Sequence, residues 1–401
     1  MSKIANILLH VLIFVTIIHW RAFDAMIVLS LLILIAGRPF SIDQIAGALK
    51  QTKLFHFLIV AWLLVVFIGN YLYGTPAEVL NFRWIFGSYI IYAVSRLNRV
   101  KDDSFLSTTS LVVTAGAILA FVYAYQSTTS WPSQDNRFSG FYHNPNVYGM
   151  TLSLPCVYLI GWVLTAIFFK KKISTWNILA LGTLTATVFF TYSRSSWMGL
   201  VSATLMAVFV MRKNRTVILG FIFSILVGII MFLTNFMSLK ERLLYTGDFT
   251  GATSTTVRIE IWKANIAMFL DQPWFGVGYW HNTELLSKYT TPDKVPGDDI
   301  FAHAHNQYLQ VLSGTGIIGF TIYLLLIAVI GFYFWGKYQS SKDVLVKRIA
   351  LCAFLSFVSY LFTSLSDSPL DSRETRDFFM IILAGSLGII HNRTQPATIN
   401  S

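Results

Sequence analysis

Residues 301–319 read Phe301-Ala-His-Ala-His-Asn-Gln-Tyr-Leu-Gln-Val-Leu-Ser-Gly-Thr-Gly-Ile-Ile-Gly319, and they place two histidines and an asparagine at the start of an apolar segment. An apolar segment in lipid must be helical, because only a helix satisfies all of its own backbone hydrogen bonds there. A neutral imidazole can take up a proton near neutral pH at a small cost of burying charge. The stretch therefore predicts a helical membrane protein with histidine chemistry at one end of a span.

The composition of the whole chain supports this prediction. The 401 residues are 55% hydrophobic and only 12% charged, whereas about a quarter of the residues in a soluble globular domain are charged. We expect an all-α polytopic membrane protein in which residues 1–401 form a single membrane-embedded domain. The net charge of +11 does not indicate a nucleic-acid partner, because the basic residues fall mostly in short clusters between apolar runs.

Apolar runs that are long enough, or nearly so, to cross a bilayer recur along the chain. We predict about twelve transmembrane helices, near residues 4–20, 23–37, 54–73, 82–97, 104–126, 146–169, 173–192, 195–211, 216–237, 312–335, 349–365 and 377–391.

The basic clusters predict the orientation of these spans. Beginning with Lys3, every second connection carries such a cluster, for example Lys170-Lys171-Lys172. The positive-inside rule assigns these connections to the cytoplasm. Both termini are then predicted to be cytoplasmic, which requires an even number of spans.

A long outer loop, 238–311, separates the predicted spans nine and ten. Thr255 and Thr256 can cap a helix that runs to about Leu270, and a second short helix can begin at Asn282-Thr283-Glu284. Residues 292–297 are rich in turn formers, and a third helix is predicted to begin near His303. We expect this helical loop to carry part of the functional site.

Three arginines on the outer side are candidate anion-binding residues, because a guanidinium group binds phosphate oxygens in a bidentate manner and stays charged. Arg194 lies at an outer hairpin, Arg258 is four residues before Trp262 on one helical face, and Arg137 lies in a short loop with Asn144-Pro-Asn146. Each also has a purely structural explanation: an interfacial arginine for Arg194, a solvated charge for Arg258 and an ordinary interhelical turn around Arg137.

The histidines are the candidate acid–base groups. His305 precedes the glycine-spaced apolar segment. Asn306 can orient an imidazole or accept a hydrogen bond from a sugar hydroxyl. A metal is not expected, because His303 and His305 at i, i+2 would diverge on a helix and no HExxH or cysteine spacing accompanies them. No cofactor is implied.

These motifs together resemble the O-antigen ligase superfamily of bacterial envelope enzymes. The resemblance rests on His305-Asn306 with Gly316 and Gly319, on Arg194 in Ser-Arg-Ser-Ser-Trp-Met-Gly, on Arg258 before Trp262, and on the turn Pro273-Trp-Phe-Gly-Val-Gly278. It is strong from about residue 130 to residue 320. Elsewhere it depends on a similar layout of spans.

The resemblance implies a multi-pass glycosyltransferase of the bacterial inner membrane that works without a metal at the periplasmic face. Its donor would be a glycan on undecaprenyl diphosphate, its acceptor lipid A-core, and its surroundings membrane lipids. His305 would be the base, with Arg194 and Arg258 on the diphosphate. Arg137, His303, Asn306 and Asp367 would assist in substrate binding.

Other functions remain open at this point. An O-antigen polymerase would join repeat units to one another, but such enzymes usually have a second sizeable outer loop, and 127–145 is short. A protein O-oligosaccharyltransferase would be expected to carry a periplasmic tail domain. A polytopic transporter fits the composition, although its ionisable residues would be expected within the spans rather than at one face.

Overall fold

The computed structural model describes residues 2–18, 20–37, 52–97, 104–128, 137–142, 144–236, 239–240, 254–291, 294–295 and 303–394. All regular structure in these residues is helical. The all-α prediction is therefore confirmed for them. Most of the predicted turn at 292–297 lies outside the described ranges.

Twelve of the helices coincide with the twelve predicted spans, and two further helices lie in the long loop. In chain order they are α1 (Ser2–Ile18), α2 (Trp20–Gly37), α3 (Lys53–Leu72), a 3₁₀ segment (Pro76–Arg83), α4 (Trp84–Leu97), α5 (Ser104–Thr128), α6 (Pro145–Phe168), α7 (Thr175–Phe190), α8 (Arg194–Val210), α9 (Arg215–Leu233), α10 (Ser254–Asp271), α11 (His281–Tyr289), α12 (Gln307–Ser340), α13 (Val344–Thr363) and α14 (Arg373–Thr394).

Length and composition identify only some of these helices as membrane spans. Five helices within the described ranges are long and apolar enough to cross a bilayer, namely α3, α6, α9, α12 and α13. Helices α1, α2, α5, α7 and α8 hold shorter apolar stretches. The remaining two, α4 and α14, meet neither description, so the count of twelve spans stays a prediction.

Helix α13 lies at the centre of the bundle, where it packs against α6, α8, α12 and α14. Its approach to α8 is close because α8 has a glycine at the contact. A Cβ added at Gly199 would lie 2.3 Å from Oγ1 of Thr363 and 2.7 Å from Oγ of Ser359. Small residues commonly allow membrane helices to approach in this way. The contact fixes the outer end of α13 beside the start of α8.

Helix α12 is broken at Gly316, where the backbone has φ 63° and ψ −170°. The turn 273–278 packs into the break: the amide of Ile317 donates to the carbonyl of Pro273 at 2.8 Å, and the amide of Val277 donates to Ser313 at 2.9 Å. A Cβ at Gly316 would lie 2.4 Å from the carbonyl oxygen of Trp274. Only glycine fits both the positive φ and this contact, which explains why glycine is needed at this position of the motif.

Of the three helices predicted to begin in the long loop, two begin close to the predicted residue and one begins later. Helices α10 and α11 begin within one or two residues of the predicted starts. The third helix begins at Gln307, not near His303, because the side chain of Asn306 caps it by accepting from the amides of Tyr308 and Leu309. Residues 303–306 therefore form a non-helical entry to the helix.

Candidate active site

The entry segment to α12 holds the two histidines side by side. His305 adopts a left-handed backbone conformation with φ 46°, which turns its ring towards that of His303, and the ring centroids are 4.5 Å apart. Between them, Ala304 is fixed on both sides: its carbonyl accepts from Nε1 of Trp262 at 2.9 Å, and its amide donates to Oε1 of Gln310 at 2.8 Å. The uncommon backbone at His305 is thus held in place by α10 and α12.

Asp367 lies at the centre of the site. It lies in the connection between α13 and α14 and is 2% exposed. One carboxylate oxygen, Oδ1, lies 3.6 Å from Nδ1 of His305 and 4.0 Å from Nε2 of His303. The other, Oδ2, lies 4.0 Å from Nη2 of Arg258 and 3.5 Å from the hydroxyl of Ser195, which donates to it. Four chain segments that are distant in sequence therefore meet at one carboxylate.

The loop that carries Asp367 is tied to the histidine segment by hydrogen bonds to its backbone. The amide of Gln307 donates to the carbonyls of Ser364 and Asp367 at 2.9 and 3.1 Å. Nδ2 of Asn306 donates to Leu365 at 3.0 Å. Nη1 of Arg258 donates to the carbonyl of Ser366 at 2.7 Å. Asp367 is consequently positioned by its neighbours in the loop rather than by its own side-chain contacts alone.

The charges around Asp367 decide its ionisation. Burial alone would raise the pKa of this carboxyl group, but the interaction with the His305 ring, together with the neighbouring His303 and Arg258, holds the pKa well below its usual range. Asp367 is therefore an anion at any working pH. A buried carboxylate with cationic neighbours is a common feature of functional sites.

The two histidines differ in what their ring nitrogens do. Nδ1 of His303 accepts from the amide of His305 at 3.2 Å, so a neutral His303 carries its proton on Nε2, which faces Asp367. Burial, and then the charge of His305, lower the pKa of His303 to about 4. His305 directs Nδ1 towards Asp367 and is 21% exposed. This arrangement leaves Nε2 of His305 as the nitrogen that can meet a substrate.

The structure brings the predicted arginines to the site to different degrees. Arg258 and Trp262 both reach it from one face of α10, so Arg258 is not merely a solvated loop charge. Arg194 is the first residue of α8, and the next residue, Ser195, contacts Asp367. Arg137 donates from Nε to the carbonyl of Thr191 at 2.8 Å and from Nη2 to Oδ1 of Asn146. It thus joins the start of α6 to the corner between α7 and α8.

Sequence reasoning missed several residues of this region. Gln307 is fully buried and uses its side chain twice: Nε2 donates to the hydroxyl of Tyr279 at 2.9 Å, and Oε1 accepts from the amide of Leu370 at 2.9 Å. Tyr279 in turn donates to Oδ1 of Asp371 at 3.0 Å. The available signal was a glutamine, followed by Gln310, at the polar start of a strongly apolar helix.

The structure does not support the argument that the helical spacing of His303 and His305 excludes a metal. The candidate ligand atoms of His303, His305 and Asp367 lie within 4.8 Å of one another. The two histidines do not diverge, because the segment that carries them is not helical. An argument against a metal comes instead from Arg258, whose fixed positive charge lies 4.0 Å from the same carboxylate and would repel a divalent cation.

Residues 178–324 match the family model described as O-Antigen ligase. No curated protein matches the chain. The matched segment includes Arg194, Arg258 and both histidines, and it ends before Asp367. Residues 178–324 are thus similar to the O-antigen ligase family, and this similarity supports the resemblance to the O-antigen ligase and polymerase superfamily.

Proposed function

We propose that this protein is an O-antigen ligase. It transfers O-antigen polysaccharide from undecaprenyl diphosphate to lipid A-core at the periplasmic face of the bacterial inner membrane. The observation that carries the proposal is the convergence of His305, Asp367 and Arg258 at the outer ends of α12, α13 and α10. A base, a fixed anion and a fixed cation are the groups that this reaction requires.

His305 is the general base in this mechanism. Its Nε2 takes the proton of the acceptor hydroxyl while the acceptor oxygen forms a bond to the anomeric carbon of the donor. The bond between that carbon and the diphosphate oxygen breaks, and undecaprenyl diphosphate leaves with the electron pair. Asp367, 3.6 Å from Nδ1 of His305, stabilises the imidazolium that forms, as the carboxylate does in other Asp–His pairs.

The arginines stabilise the departing diphosphate. Arg258 has five N–H donors, of which one is used on the carbonyl of Ser366, so others remain for phosphate oxygens. Arg194 contributes a second charge, and Arg137 a weaker one at the donor site. Fixed cations in a site partly shielded from water can stabilise developing negative charge without a metal.

His303 and Asn306 support the reaction through position. Nδ1 of His303 accepts from the amide of His305, and its Nε2 faces Asp367 at 4.0 Å, which leaves His305 as the better base. Asn306 uses its side chain to cap α12 and to hold the loop of Asp367. In this proposal both residues shape the acceptor site rather than take part in proton transfer.

The proposed orientation has cytoplasmic termini and the 238–311 loop on the periplasmic side. Lys288 on α11 and Lys342 between α12 and α13 are both exposed. A cysteine at position 288 should react with an impermeant thiol reagent added from the periplasm, and a cysteine at position 342 should not. The reverse pattern would invert the topology.

A deletion strain separates the ligase from a polymerase. Loss of a ligase leaves lipid A-core without O-antigen, while polymerised glycan accumulates on undecaprenyl diphosphate. Loss of a polymerase leaves lipid A-core capped with single repeat units. Purified protein that transfers glycan between these two lipids in proteoliposomes would in addition exclude a transporter.

A further inference from the structure

Helix α10 and the turn that follows it carry an apolar stripe that the described fold leaves uncovered. Ile266, Leu270 and Trp274 follow one another at intervals of four residues, and they are 45%, 68% and 67% exposed. We call these three residues the outer stripe. The opposite side of α10 is buried against α11, for example at Ile261 and Met268, which are both fully buried. A loop surrounded by water would not be expected to leave so much contiguous apolar surface in contact with solvent.

The depth of the stripe in the bilayer follows from its neighbours. Trp274 and Pro273 contact α12 at Ile317 and Ile318, about 15 Å along the helix from its start at Gln307 if the break is neglected. These contacts fall inside the predicted span 312–335. The same turn touches α3, since a Cβ at Gly69 would lie 2.9 Å from the carbonyl oxygen of Phe275, and Gly69 falls inside the predicted span 54–73.

The backbone of the turn is suited to that depth. Irregular backbone is tolerated beside lipid only where its polar groups are satisfied within the protein. The amide of Gly276 donates to Gln272 at 3.1 Å, and the amide of Val277 donates to Ser313 at 2.9 Å. The carbonyls of Pro273 and Trp274 accept from Ile317 and Ile318.

The outer stripe continues the lipid-facing surface of α12. Ile317, which is bonded to this turn through its amide, is 40% exposed, and Leu324 and Leu325 farther along α12 are 41% and 49% exposed. Tryptophan is also the residue most typical of the boundary between hydrocarbon and headgroups. The stripe and the lipid-facing side of α12 therefore form one apolar surface.

We propose that bilayer lipids of the outer leaflet cover the outer stripe, so that α10 is docked on the membrane by Ile266, Leu270 and Trp274. The long loop is then an interfacial element rather than a freely solvated one. Because Arg258 lies on the same helix, this docking holds its guanidinium at a fixed place relative to the bilayer surface. The inference depends on the membrane embedding of the chain and not on the catalytic roles proposed above.

A depth measurement tests the proposal. Spin labels are attached to single cysteines at positions 266, 270 and 274 of the full-length protein in phospholipid nanodiscs. The native cysteines Cys156 and Cys352 are fully buried and are replaced by alanine. Matched controls are labels at Ser287 and Lys288, which are both exposed on α11.

We expect the labels at 270 and 274 to collide with oxygen, which concentrates in lipid, and to be shielded from a water-soluble nickel chelate. The controls at 287 and 288 should show the opposite. Equal exposure of the stripe and control labels to the nickel chelate would overturn the proposal. Shielding from both relaxing agents would also overturn it, because a second copy or another protein would then cover the stripe. The label at 266 repeats the test if a variant at 270 or 274 does not fold.

Discussion

Replacement of Asp367 by asparagine removes a charge at the centre of the site and almost no volume. In the proposed mechanism the proton taken up by His305 creates a cation 3.6 Å from this carboxylate. With an effective dielectric constant of about 20, a unit charge pair at that distance is worth roughly 4 kcal/mol. Arg258, 4.0 Å from the other oxygen, offsets part of this attraction. We therefore expect Asp367→Asn to lower kcat by roughly 10²–10³-fold.

The assay measures initial rates of transfer by purified protein in proteoliposomes with lipid-linked donor and lipid A-core acceptor. The control is Ser195→Ala, which removes a neutral contact of 3.5 Å to the same carboxylate and a hydroxyl contact of 3.1 Å to Ser193; it should cost less than about tenfold. Thermal unfolding of both variants establishes that they are folded. A folded Asp367→Asn variant that retains the wild-type kcat would refute the role of the carboxylate.

Three further predictions concern the arginines, metals and a second buried acid. Arg194→Ala and Arg258→Ala should each weaken transition-state binding by on the order of 2–5 kcal/mol. Each should weaken donor binding more than acceptor binding. The lysine variants at these two positions should be impaired, whereas the control Arg212→Ala should transfer normally. Unchanged donor binding in both alanine variants would contradict the proposed binding of the diphosphate by these two arginines. Treatment with EDTA should leave the rate unchanged, and a loss that added divalent ions restore would contradict a metal-free mechanism. Burial, with a smaller effect of the Asp367 charge, raises the pKa of Asp371 to about 7. Wild-type stability should therefore fall as the pH rises from about 4 to about 7, and Asp371→Asn should raise the melting temperature near pH 8 but not near pH 4.

The sequence predicted the helices well because their signals are local. The approximate positions of α10 and α11 follow from local sequence, although Thr255 and Thr256 lie inside α10 rather than capping it and α11 begins after Trp280 without a side-chain cap. The start of α12 was predicted too early, near His303, because the capping role of Asn306 was not considered. Because the helix begins at Gln307, the two histidines lie outside it and their rings can come together.

The centre of the site could not be predicted in the same way. Asp367 is 62 residues beyond His305 and lies in a loop with no motif of its own, so only the packing of α13 against α8 and α12 brings it to the histidines. The contacts of Gln307 and Tyr279 could not be predicted either, because their hydrogen bonds join segments that are distant in sequence. Local pattern carries no information about such contacts. The resemblance proposed roles for Asp367 as well as for Arg258 and His305, but it carried no information about the contacts that bring these residues together.

The most direct test of the mechanism is the single-turnover rate of His305→Ala, measured with saturating lipid-linked donor alongside the binding of that donor. The alanine removes the proposed base and little packing, because the wild-type side chain is 21% exposed. The mechanism predicts that transfer falls by roughly 10²–10⁴-fold while donor binding stays close to that of the wild type. Transfer at the wild-type rate by folded His305→Ala would contradict the central claim, and a larger loss in His303→Ala would assign the base to the other histidine.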